Sequence, residues 1–447
     1  MRRTTALLVL PVVMAAVLQA CSSSDSPTSD PSNGANGGSA GSTASQAGRS
    51  AIGGGVNASG GTAGASVASA GAATGISGSA GSLGSAGNSG APSSAGSSSM
   101  TSAGAGGKAG AAGGAGIAGS SGAGSAGAGG TSTVTGPCDI YEAGKTPCVA
   151  AHSTVRALYG AYNGNLYQVR RASDKTTKDI GVLSAGGFAD SAVQDTFCAG
   201  TTCTISIIYD QSPKLNHLTK APAGGAKKTP DNEANATGLK LTASGHTVYA
   251  VYVDTGIGYR NNKTSGIATG DQPEGEYMVT SGKHFNAGCC FDYGNAETDN
   301  TDDGNGTMEA VYFGNSTGWG KGAGNGPWVM ADLENGLFAG QSTAANANNT
   351  PLTNDYVTAL IKGKAGGFAL KGGNAQTGTL KTMYDGKRPT PNYDPMKKQG
   401  AIILGIGGDN SNSAIGTFFE GCMTAGYPTD ASDDAVQANI VAAGYGK

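Results

Sequence analysis

The sequence predicts an all-β fold, a β-sandwich or jelly-roll-like domain, for residues 137–447. Short runs rich in β-branched and aromatic residues alternate with clusters of Gly, Asn and Asp, which is typical of strands joined by turns. Few segments show the 3.6-residue periodicity of a helix. Many short strands with Gly-rich turns favour two packed sheets over alternating strands and helices. The predicted strands span residues 204–209, 247–253, 309–313, 328–333, 356–361 and 401–406.

The N-terminal residues 1–21 are predicted to be a lipoprotein signal peptide. Arg2 and Arg3 precede an apolar stretch over residues 6–17, which is too short for a permanent membrane-spanning helix. The stretch leads into Leu-Gln-Ala-Cys, which resembles a bacterial lipobox ending at Cys21. Lipidation of this cysteine would anchor the protein to the bacterial cell envelope, at the outer membrane or cell surface. The alternative is an ordinary secretory signal with an incidental cysteine.

Residues 22–136 are predicted to be a disordered tether rich in Gly, Ser and Ala. This segment holds no aromatic residue and only four charged ones. Such a tract buries too little apolar surface to offset the loss of backbone entropy on folding. As a flexible coil it would span on the order of 60 Å between the anchor and the folded domain.

The charge of residues 137–447 excludes some partners. Four basic and two acidic residues precede this domain, which leaves it 24 basic and 29 acidic residues and a net charge of −5. Without a basic cluster it does not suit nucleic acid. The chain has four His and no HExxH spacing, which argues against a zinc hydrolase. We expect no metal, no cofactor and a monomeric protein.

Seven cysteines lie in the predicted domain, in a compartment where disulfides persist. They are Cys138, Cys148, Cys198, Cys203, Cys289, Cys290 and Cys422. Short local loops are the simplest pairing, but spacing alone leaves the connectivity open. A bridge between the adjacent Cys289 and Cys290 would be strained, because neighbouring Cα atoms are about 3.8 Å apart and disulfides commonly span about 4.4–6.8 Å. Two free thiols are therefore the alternative at this position.

One helix is predicted, over residues 433–443. Ser432 is its expected N-cap, acidic residues fill its first turn, and Gly444 follows its last residue.

A serine hydrolase is rejected although the sequence contains its motif. Residues 314–318 match the GxSxG string around Ser316. The fold that uses this string needs a helix after the serine and a histidine later in the chain. A Gly-rich loop follows instead, and the last histidine is His284.

Two carboxylate sites point to chemistry on sugars. Strand alternation over 328–333 would place Asp332 and Glu334 on one face, with Trp319 and Trp328 shortly before them. Aromatic rings suit the apolar C–H face of a sugar. Taken alone, the two acids are also explained as a solvent-facing pair.

Asp409 supplies the second carboxylate site. It follows the predicted strand 401–406, where its side chain could project into a cleft, although a turn Asp explains it equally well by itself. Two carboxyl groups on separate strands are what glycoside hydrolysis needs, one ionised and the other protonated.

Long stretches of the domain carry more specific information than these single motifs. They lie at residues 136–144, 146–154, 156–159, 194–198, 207–212, 258–262, 289–297, 400–412 and 439–443. Together they resemble the catalytic domain of glycoside hydrolase family 54, α-L-arabinofuranosidases best known from filamentous fungi. The resemblance covers 137–447 and none of 1–135.

This resemblance implies a retaining β-sandwich enzyme and assigns its two carboxyl groups. The nucleophile of the family lies in an Asp-x-Glu-Asn stretch, which here makes Glu334 the nucleophile. The general acid/base lies in Gly-Gly-Asp-Asn, which corresponds to Asp409. The expected reaction is exo-acting removal of terminal non-reducing α-L-arabinofuranosyl residues from arabinoxylan and arabinan side chains. Hemicellulose and pectin oligosaccharides or polysaccharides are the expected partners.

The resemblance also implies the residues that hold the sugar. These are Asp332, Asn335, Gly408, Trp319 and a Cys289–Cys290 disulfide against which the sugar ring packs. The pairings Cys138–Cys148 and Cys198–Cys203 follow the family too.

Three features depart from the family pattern. Gly336 stands where a second Asn is frequent, and Cys422 stands where we expect a small apolar residue, so we interpret it as a free buried thiol. The arabinose-binding β-trefoil that commonly ends the fungal enzymes is not expected after Lys447. The alternative function is a non-catalytic carbohydrate-binding surface lipoprotein on the same scaffold, which would not need both carboxyl groups.

Overall fold

The computed structural model describes residues 134–447. The predicted signal peptide with Cys21 and residues 22–133 of the predicted tether lie outside this range. The described helices are α1 (Pro137–Ala143), α2 (Ser191–Phe197) and α3 (Asp430–Ala442).

The described strands are β1 (Cys148–Ser153), β2 (Asn165–Arg171), β3 (Thr177–Gly181), β4 (Cys203–Ile208), β5 (Leu218–Lys220), β6 (Leu239–Ala243), β7 (His246–Val253), β8 (Tyr259–Asn261), β9 (Glu274–Thr280), β10 (Asp292–Ala296), β11 (Glu309–Gly314), β12 (Lys321–Gly322), β13 (Trp328–Asp332), β14 (Leu337–Phe338), β15 (Ala345–Asn346), β16 (Val357–Lys364), β17 (Gly367–Asn374), β18 (Lys381–Lys387), β19 (Ala401–Leu404) and β20 (Gly416–Ala425).

Two large antiparallel sheets are built from these strands. One has eight strands in the order β18-β17-β16-β9-β20-β7-β6, with β1 also paired to β20. The other has ten strands in the order β14-β13-β11-β10-β19-β8-β5-β4-β2-β3. A separate parallel pair joins β12 to β15.

The two sheets pack face to face, which confirms the predicted all-β sandwich. Strands β9, β16 and β17 of the first sheet contact β10, β11 and β13 of the second. Apolar side chains from both inner faces form one continuous core, to which Tyr277, Val311 and Leu360 contribute. This is the packing that removes the apolar face of each sheet from water.

All six predicted strands exist, with small shifts at their ends. Residues 204–209 became β4, which ends at Ile208, and 401–406 became β19, which ends at Leu404. Residues 328–333 became β13, which ends at Asp332, one residue early. Glu334 therefore lies two residues beyond the end of the strand.

The predicted C-terminal helix exists but begins three residues earlier than expected. The N-cap is Thr429 and not Ser432, because the Thr429 hydroxyl accepts a hydrogen bond from the Ser432 N–H at 3.1 Å. The short helices α1 and α2 were not predicted. No helix within residues 134–447 is long and apolar enough to cross a membrane.

Three disulfides are present in the described residues. Cys138–Cys148 and Cys198–Cys203 close short loops, with Cα–Cα distances of 5.5 and 5.8 Å. Cys289 is joined to Cys290. Cys422 is a free and buried thiol, as the sequence predicts.

Candidate active site

A cleft of about 340 Å³ opens on the ten-stranded sheet. Its walls bring together segments that are far apart in the chain. They are Cys289, Cys290, Asp302, Trp319, Asp332, Glu334, Asn335, Gly336, Leu337, Gly407, Gly408, Asp409 and Ser411. All eight residues that the sequence predicts around the sugar therefore line one cavity, and their roles stay predictions.

Glu334 lies in a tight turn and not on a strand. The turn joins β13 to β14, and the Leu333 N–H donates to the Gly336 carbonyl at 3.2 Å. Glu334 and Asn335 are its two central residues, with φ of 61° and 53°. Positive φ at both central residues is the conformation of a type I′ hairpin turn, which usually selects Asn and Gly. The expectation that strand alternation aligns Glu334 with Asp332 is therefore wrong.

The turn instead brings the two acids together through a direct contact. The Glu334 N–H donates to Asp332 Oδ1 at 3.1 Å. A glutamate in the left-handed region costs on the order of 1–3 kcal/mol. This turn conformation places Glu334 at the wall of the cleft.

Asp332 shares its buried environment with a further acid, Asp292, at the start of β10. Neither Asp292 oxygen has a hydrogen-bond donor among residues 134–447 unless one of the two acids is protonated. Burial, followed by the Asp332 carboxyl, raises the pKa of Asp292 well above its ordinary value. Burial raises the pKa of Asp332 to about 7, while hydrogen bonds from Asp292 and the Glu334 N–H lower it. Of the two acids, Asp292 has the pKa that is raised further, which favours a proton shared with Asp332 on the Asp292 side.

Gly408 lies against the carboxyl groups of two glutamates. A Cβ atom at this position would overlap Glu297 Oε2 and lie 2.6 Å from Glu334 Oε2. Only glycine leaves room for both carboxyl groups at this point. Burial, followed by the Glu297 and Asp332 carboxyls, raises the pKa of Glu334.

Asp409 lies in the turn that follows β19. The Asn410 N–H donates to the Gly407 carbonyl at 3.1 Å, and the Gly407 N–H donates to the Ser411 carbonyl at 2.9 Å. The Ser411 N–H donates to Asp409 Oδ1 at 2.9 Å. Burial raises the pKa of Asp409, with a smaller contribution from the Asp302 carboxylate and an opposing one from Ser411.

Arg260 on β8 holds the Asp409 turn in place through hydrogen bonds. Its Nη1 donates to the Gly408 carbonyl at 2.6 Å and to Asn410 Oδ1 at 2.8 Å. Its Nη2 donates to the Glu297 carbonyl. Burial lowers the pKa of Arg260 to about 10, so the guanidinium stays charged among the acids of the site.

The Cys289–Cys290 disulfide and Trp319 form the apolar part of the cleft. The Ser413 N–H donates to the Cys289 carbonyl at 3.1 Å, and the Cys290 N–H donates to the Ser411 carbonyl at 3.3 Å. These bonds fix the disulfide beside the Asp409 turn. Trp319 packs on a buried cluster around Cys290 and Leu337. Trp328 is buried and does not line the cleft, so only one of the two tryptophans faces it.

Gly336 has a physical reason for departing from the family pattern. A Cβ atom there would overlap the ring of Phe338 and lie 3.1 Å from Tyr393 Oη. Tyr393 donates to the Asn335 carbonyl at 3.0 Å and packs edge-on against Phe338. Two aromatic side chains therefore occupy the space that an Asn at position 336 would need.

Sequence reasoning missed four residues of the site or its support. Asp302 lines the cleft and accepts a hydrogen bond from Asn335 Nδ2 at 3.0 Å. Glu297, Arg260 and Asp292 act from behind the cleft wall. Asp292 is the first residue of β10 and Glu297 directly follows its last, and an acid next to a strand was the signal that found Asp409.

Comparison with known proteins decides the family. The family model described as alpha-L-arabinofuranosidase B, catalytic, matches residues 137–446. The chain belongs to this family. The resemblance to glycoside hydrolase family 54 is thereby confirmed.

Individual family members from fungi are close in sequence. The probable alpha-L-arabinofuranosidase B of Aspergillus terreus is 60% identical over 320 residues, which cover 70% of this chain and 63% of the relative. The alpha-L-arabinofuranosidase B of Aspergillus niger is 58% identical over 315 residues, which cover 69% of this chain and 63% of the relative. The chain thus matches less than two thirds of the length of these relatives.

Solved structures of family members match the described fold. A glutamate-to-glutamine variant of a GH54 α-L-arabinofuranosidase, soaked with 4-nitrophenyl α-L-arabinofuranoside, matches with a TM-score of 0.69 and 57% identity. An arabinofuranosidase complexed with arabinofuranosyl-α-1,2-xylobiose matches with a TM-score of 0.68 and 57% identity. Each match covers 70% of this chain and 66% of the other.

The relatives correct the predicted location. They are arabinofuranosidases from Aspergillus, a genus of fungi, and not from bacteria. The prediction of a bacterial cell-envelope protein, lipid-anchored through Cys21, is therefore wrong. These relatives are named as enzymes, so the comparisons give no support to a non-catalytic binding lipoprotein.

Proposed function

We propose that residues 137–447 act as a retaining, exo-acting α-L-arabinofuranosidase. The observation that carries this proposal is the pair of acids, Glu334 and Asp409, in one cleft beside an aromatic ring and a disulfide. Membership of the family supports it. The exposed fractions of Glu334 and Asp409 are 7% and 8%, so substrate reaches their carboxyl groups through this cleft.

Glu334 is the nucleophile in this proposal and Asp409 the general acid/base. Glu334 attacks the anomeric carbon while Asp409 protonates the departing glycosidic oxygen. Water then hydrolyses the glycosyl-enzyme, with Asp409 accepting its proton. Retaining enzymes hold two such groups about 5–5.5 Å apart. The raised pKa of Asp409 suits a group that must begin the cycle protonated.

The remaining cleft residues hold the sugar. Asp332 offers a carboxyl group to sugar hydroxyl groups, and Asn335 offers an amide. Trp319 and the Cys289–Cys290 disulfide give the furanose ring an apolar surface.

The substrates are arabinofuranosyl side chains of hemicellulose and pectin, as oligosaccharides or polysaccharides. A relative of the same family was complexed with arabinofuranosyl-α-1,2-xylobiose, and another was soaked with 4-nitrophenyl α-L-arabinofuranoside. We propose the same class of terminal α-L-arabinofuranosyl residue for this chain.

Nitrophenol release from 4-nitrophenyl α-L-arabinofuranoside tests the function. The chain is expressed under oxidising conditions, because three disulfides lie in the described residues. We expect turnover by the wild type and its loss in Glu334→Gln. Asp409→Asn should slow an arabinoxylan oligosaccharide more than the nitrophenyl glycoside, because nitrophenol leaves with little help from an acid. A folded wild type that binds arabinose without turnover would contradict the proposal.

A further inference from the structure

Glu297, directly after β10, is a buried acid behind the cleft wall that neither the sequence analysis nor the proposed mechanism uses. Its exposed fraction is 0%. The Thr307 hydroxyl lies 2.6 Å from Glu297 Oε1 and 2.6 Å from the Gly304 carbonyl, and it can donate to only one of them at a time. Glu297 Oε2 has no donor among residues 134–447 unless Glu334 carries a proton. This unsatisfied oxygen is therefore the one that faces the nucleophile.

Gly408 locates the two carboxyl groups relative to each other. The space where a Cβ would lie on Gly408 is occupied by Glu297 Oε2 and borders on Glu334 Oε2. Two oxygens that crowd the same point are themselves neighbours. Their contact is a hydrogen bond when one of the two acids is protonated.

When two buried carboxyl groups are neighbours, the charge of one opposes ionisation of the other. The other charged groups around the pair do not allow both glutamates to ionise, because they comprise four acids and a single cation. They are Arg260, Asp299, Asp302, Asp332 and Asp409. Burial raises the pKa of Glu297, while Thr307, Glu334 and Arg260 lower it, and burial also raises the pKa of Glu334. Either carboxyl group can therefore hold the proton of the pair. A protonated Glu334 is not a nucleophile.

We infer that Glu297 and Glu334 share a single proton along this hydrogen bond, and that Glu297 takes it when Glu334 attacks. The inference rests on the proposed function, because it assigns a partner to the nucleophile. Glu297 is a positioning residue in this scheme. It acts through Glu334 and does not touch the sugar.

The proton balance closes over one catalytic cycle. In the first step the proton of Glu334 passes to Glu297 Oε2, a bond forms from Glu334 to the anomeric carbon, and the glycosidic C–O bond breaks. The departing oxygen takes the proton of Asp409. In the second step water attacks the anomeric carbon, Asp409 takes its proton, and Glu334 leaves as a carboxylate. Glu334 then recovers its proton from Glu297.

Infrared spectroscopy of the full chain tests the shared proton without any turnover. Protonated carboxyl groups have a C=O stretch that is separate from that of carboxylates. At neutral pH we expect Glu297→Gln and Glu334→Gln each to remove one protonated-carboxyl band. Since both variants remove the same proton, the double variant should remove no more than either one.

Glu276→Gln is the matched control for this measurement. Glu276 is buried in β9 outside the cleft, and burial raises its pKa well above the ordinary value. Its substitution should remove a band of its own, which adds to the loss in Glu297→Gln. An unchanged band in Glu297→Gln, or two bands lost in the double variant, would overturn the shared proton.

The pH profile of kcat/KM tests the link to the nucleophile. In Glu297→Gln the amide still donates to Glu334, so we expect kcat/KM within about tenfold of wild type and an acid limb at the same or lower pH. In Glu297→Leu the donor is lost while burial remains, which should move the acid limb up by about one pH unit or more. Equal losses in both variants, without any shift of the limb, would mean a purely structural role and overturn the inference.

The two proposals fail in different ways. A wild type without turnover refutes the proposed function, and with it the role of Glu297 toward a nucleophile, whereas the infrared result still decides the shared proton. A wild type with turnover and independent carboxyl bands refutes only the inference. Circular dichroism and thermal melting confirm that each variant is folded before it is interpreted.

Discussion

At the scale of single residues, Gly408 is the point where the site tolerates least change. The point where a Cβ would lie on this residue is where the Glu297 and Glu334 carboxyl groups meet, and Arg260 donates to its carbonyl at 2.6 Å. Space and not backbone conformation makes glycine necessary here.

Substituting Gly408→Ala should therefore disable the enzyme. The added methyl group displaces one or both carboxyl groups, so we expect kcat/KM to fall at least about 100-fold, since small displacements of reacting groups have effects of that size. Overpacking should also lower the free energy of unfolding by about 1–3 kcal/mol. Gly181→Ala is the control, because the nearest atom to its new Cβ is 3.4 Å away. Wild-type kcat/KM in Gly408→Ala would contradict this placement of the carboxyl groups.

We expect Asp302 to affect the alkaline side of the pH profile through Asp409. In the proposed mechanism the general acid must be protonated, so kcat/KM should fall as the pH rises through the pKa of Asp409. That pKa is raised by burial and, to a smaller extent, by the Asp302 carboxylate. Asp302→Asn removes this like charge, and we expect the alkaline limb of kcat/KM to move to lower pH by about half a unit.

Asp303→Asn is the matched control for that shift. Asp303 is the next residue, is exposed, and accepts a hydrogen bond from Gln399 at 2.5 Å instead of lining the cleft. The limb should not move in this variant. An equal shift in both variants would assign the effect to general surface charge.

At the scale of elements, helix α3 is tied to the eight-stranded sheet by buried charges. Lys362 on β16 donates to Asp433 Oδ2 at 2.7 Å, and Lys371 on β17 donates to the same oxygen at 3.0 Å. Both lysines also donate to Asp430 Oδ1. The two aspartates of α3 thus compensate the charges of Lys362 and Lys371, which the packing of the helix buries.

Asp433→Asn should release this helix. One buried carboxylate is lost while both lysines stay charged, which we expect to lower the free energy of unfolding by about 3 kcal/mol in urea titrations. Asp434→Asn, at the exposed neighbouring position, should change it by less than about 0.5 kcal/mol. Equal stability of the two variants would show that the ion pairs contribute nothing to docking of α3.

Two of the strands that the sequence does not predict, β9 and β10, bury acids. The run 401–406 was found because it is apolar, whereas β9 buries Glu274 and Glu276 and β10 begins with Asp292. Glu274 is buried because Lys398, far along the chain, pairs with it at 2.7 Å. The sequence around Glu274 alone does not predict a partner so far along the chain.

The same limit applies to the site. Glu334 and Asp409 could be found as acids next to strands, and the family motif assigns them roles. The left-handed turn at Glu334 could not be read from a sequence of Glu and Asn, because tertiary packing and not residue preference imposes it. Glu297 and Asp292 are recognisable only when their neighbours across the sheet are known.

At the scale of the whole molecule, residues 137–447 have the properties of an independent domain. The two sheets enclose one continuous core, and all three disulfides of the described chain close within it. The family match spans this same part of the chain.

We therefore expect a fragment of residues 134–447 to fold and act alone. Its kcat/KM for 4-nitrophenyl α-L-arabinofuranoside should lie within about twofold of the full chain, and its melting temperature should be the same, because a domain with its own core folds without its neighbours. Parallel assays of the purified fragment and full chain measure this. A fragment that aggregates or loses activity would show that residues before 134 take part in the fold.

The cleft is assembled across β10, β13 and β19, which neighbour β11 or one another in the ten-stranded sheet but are distant along the chain. Pairings between distant segments form slowly, because the intervening chain must first be ordered. Local turns and helices can form before the Asp409 turn meets Glu334 and Glu297. Catalytic activity should therefore return during refolding only when the ten-stranded sheet is complete. We expect it to return later than a spectroscopic signal from local turns and helices.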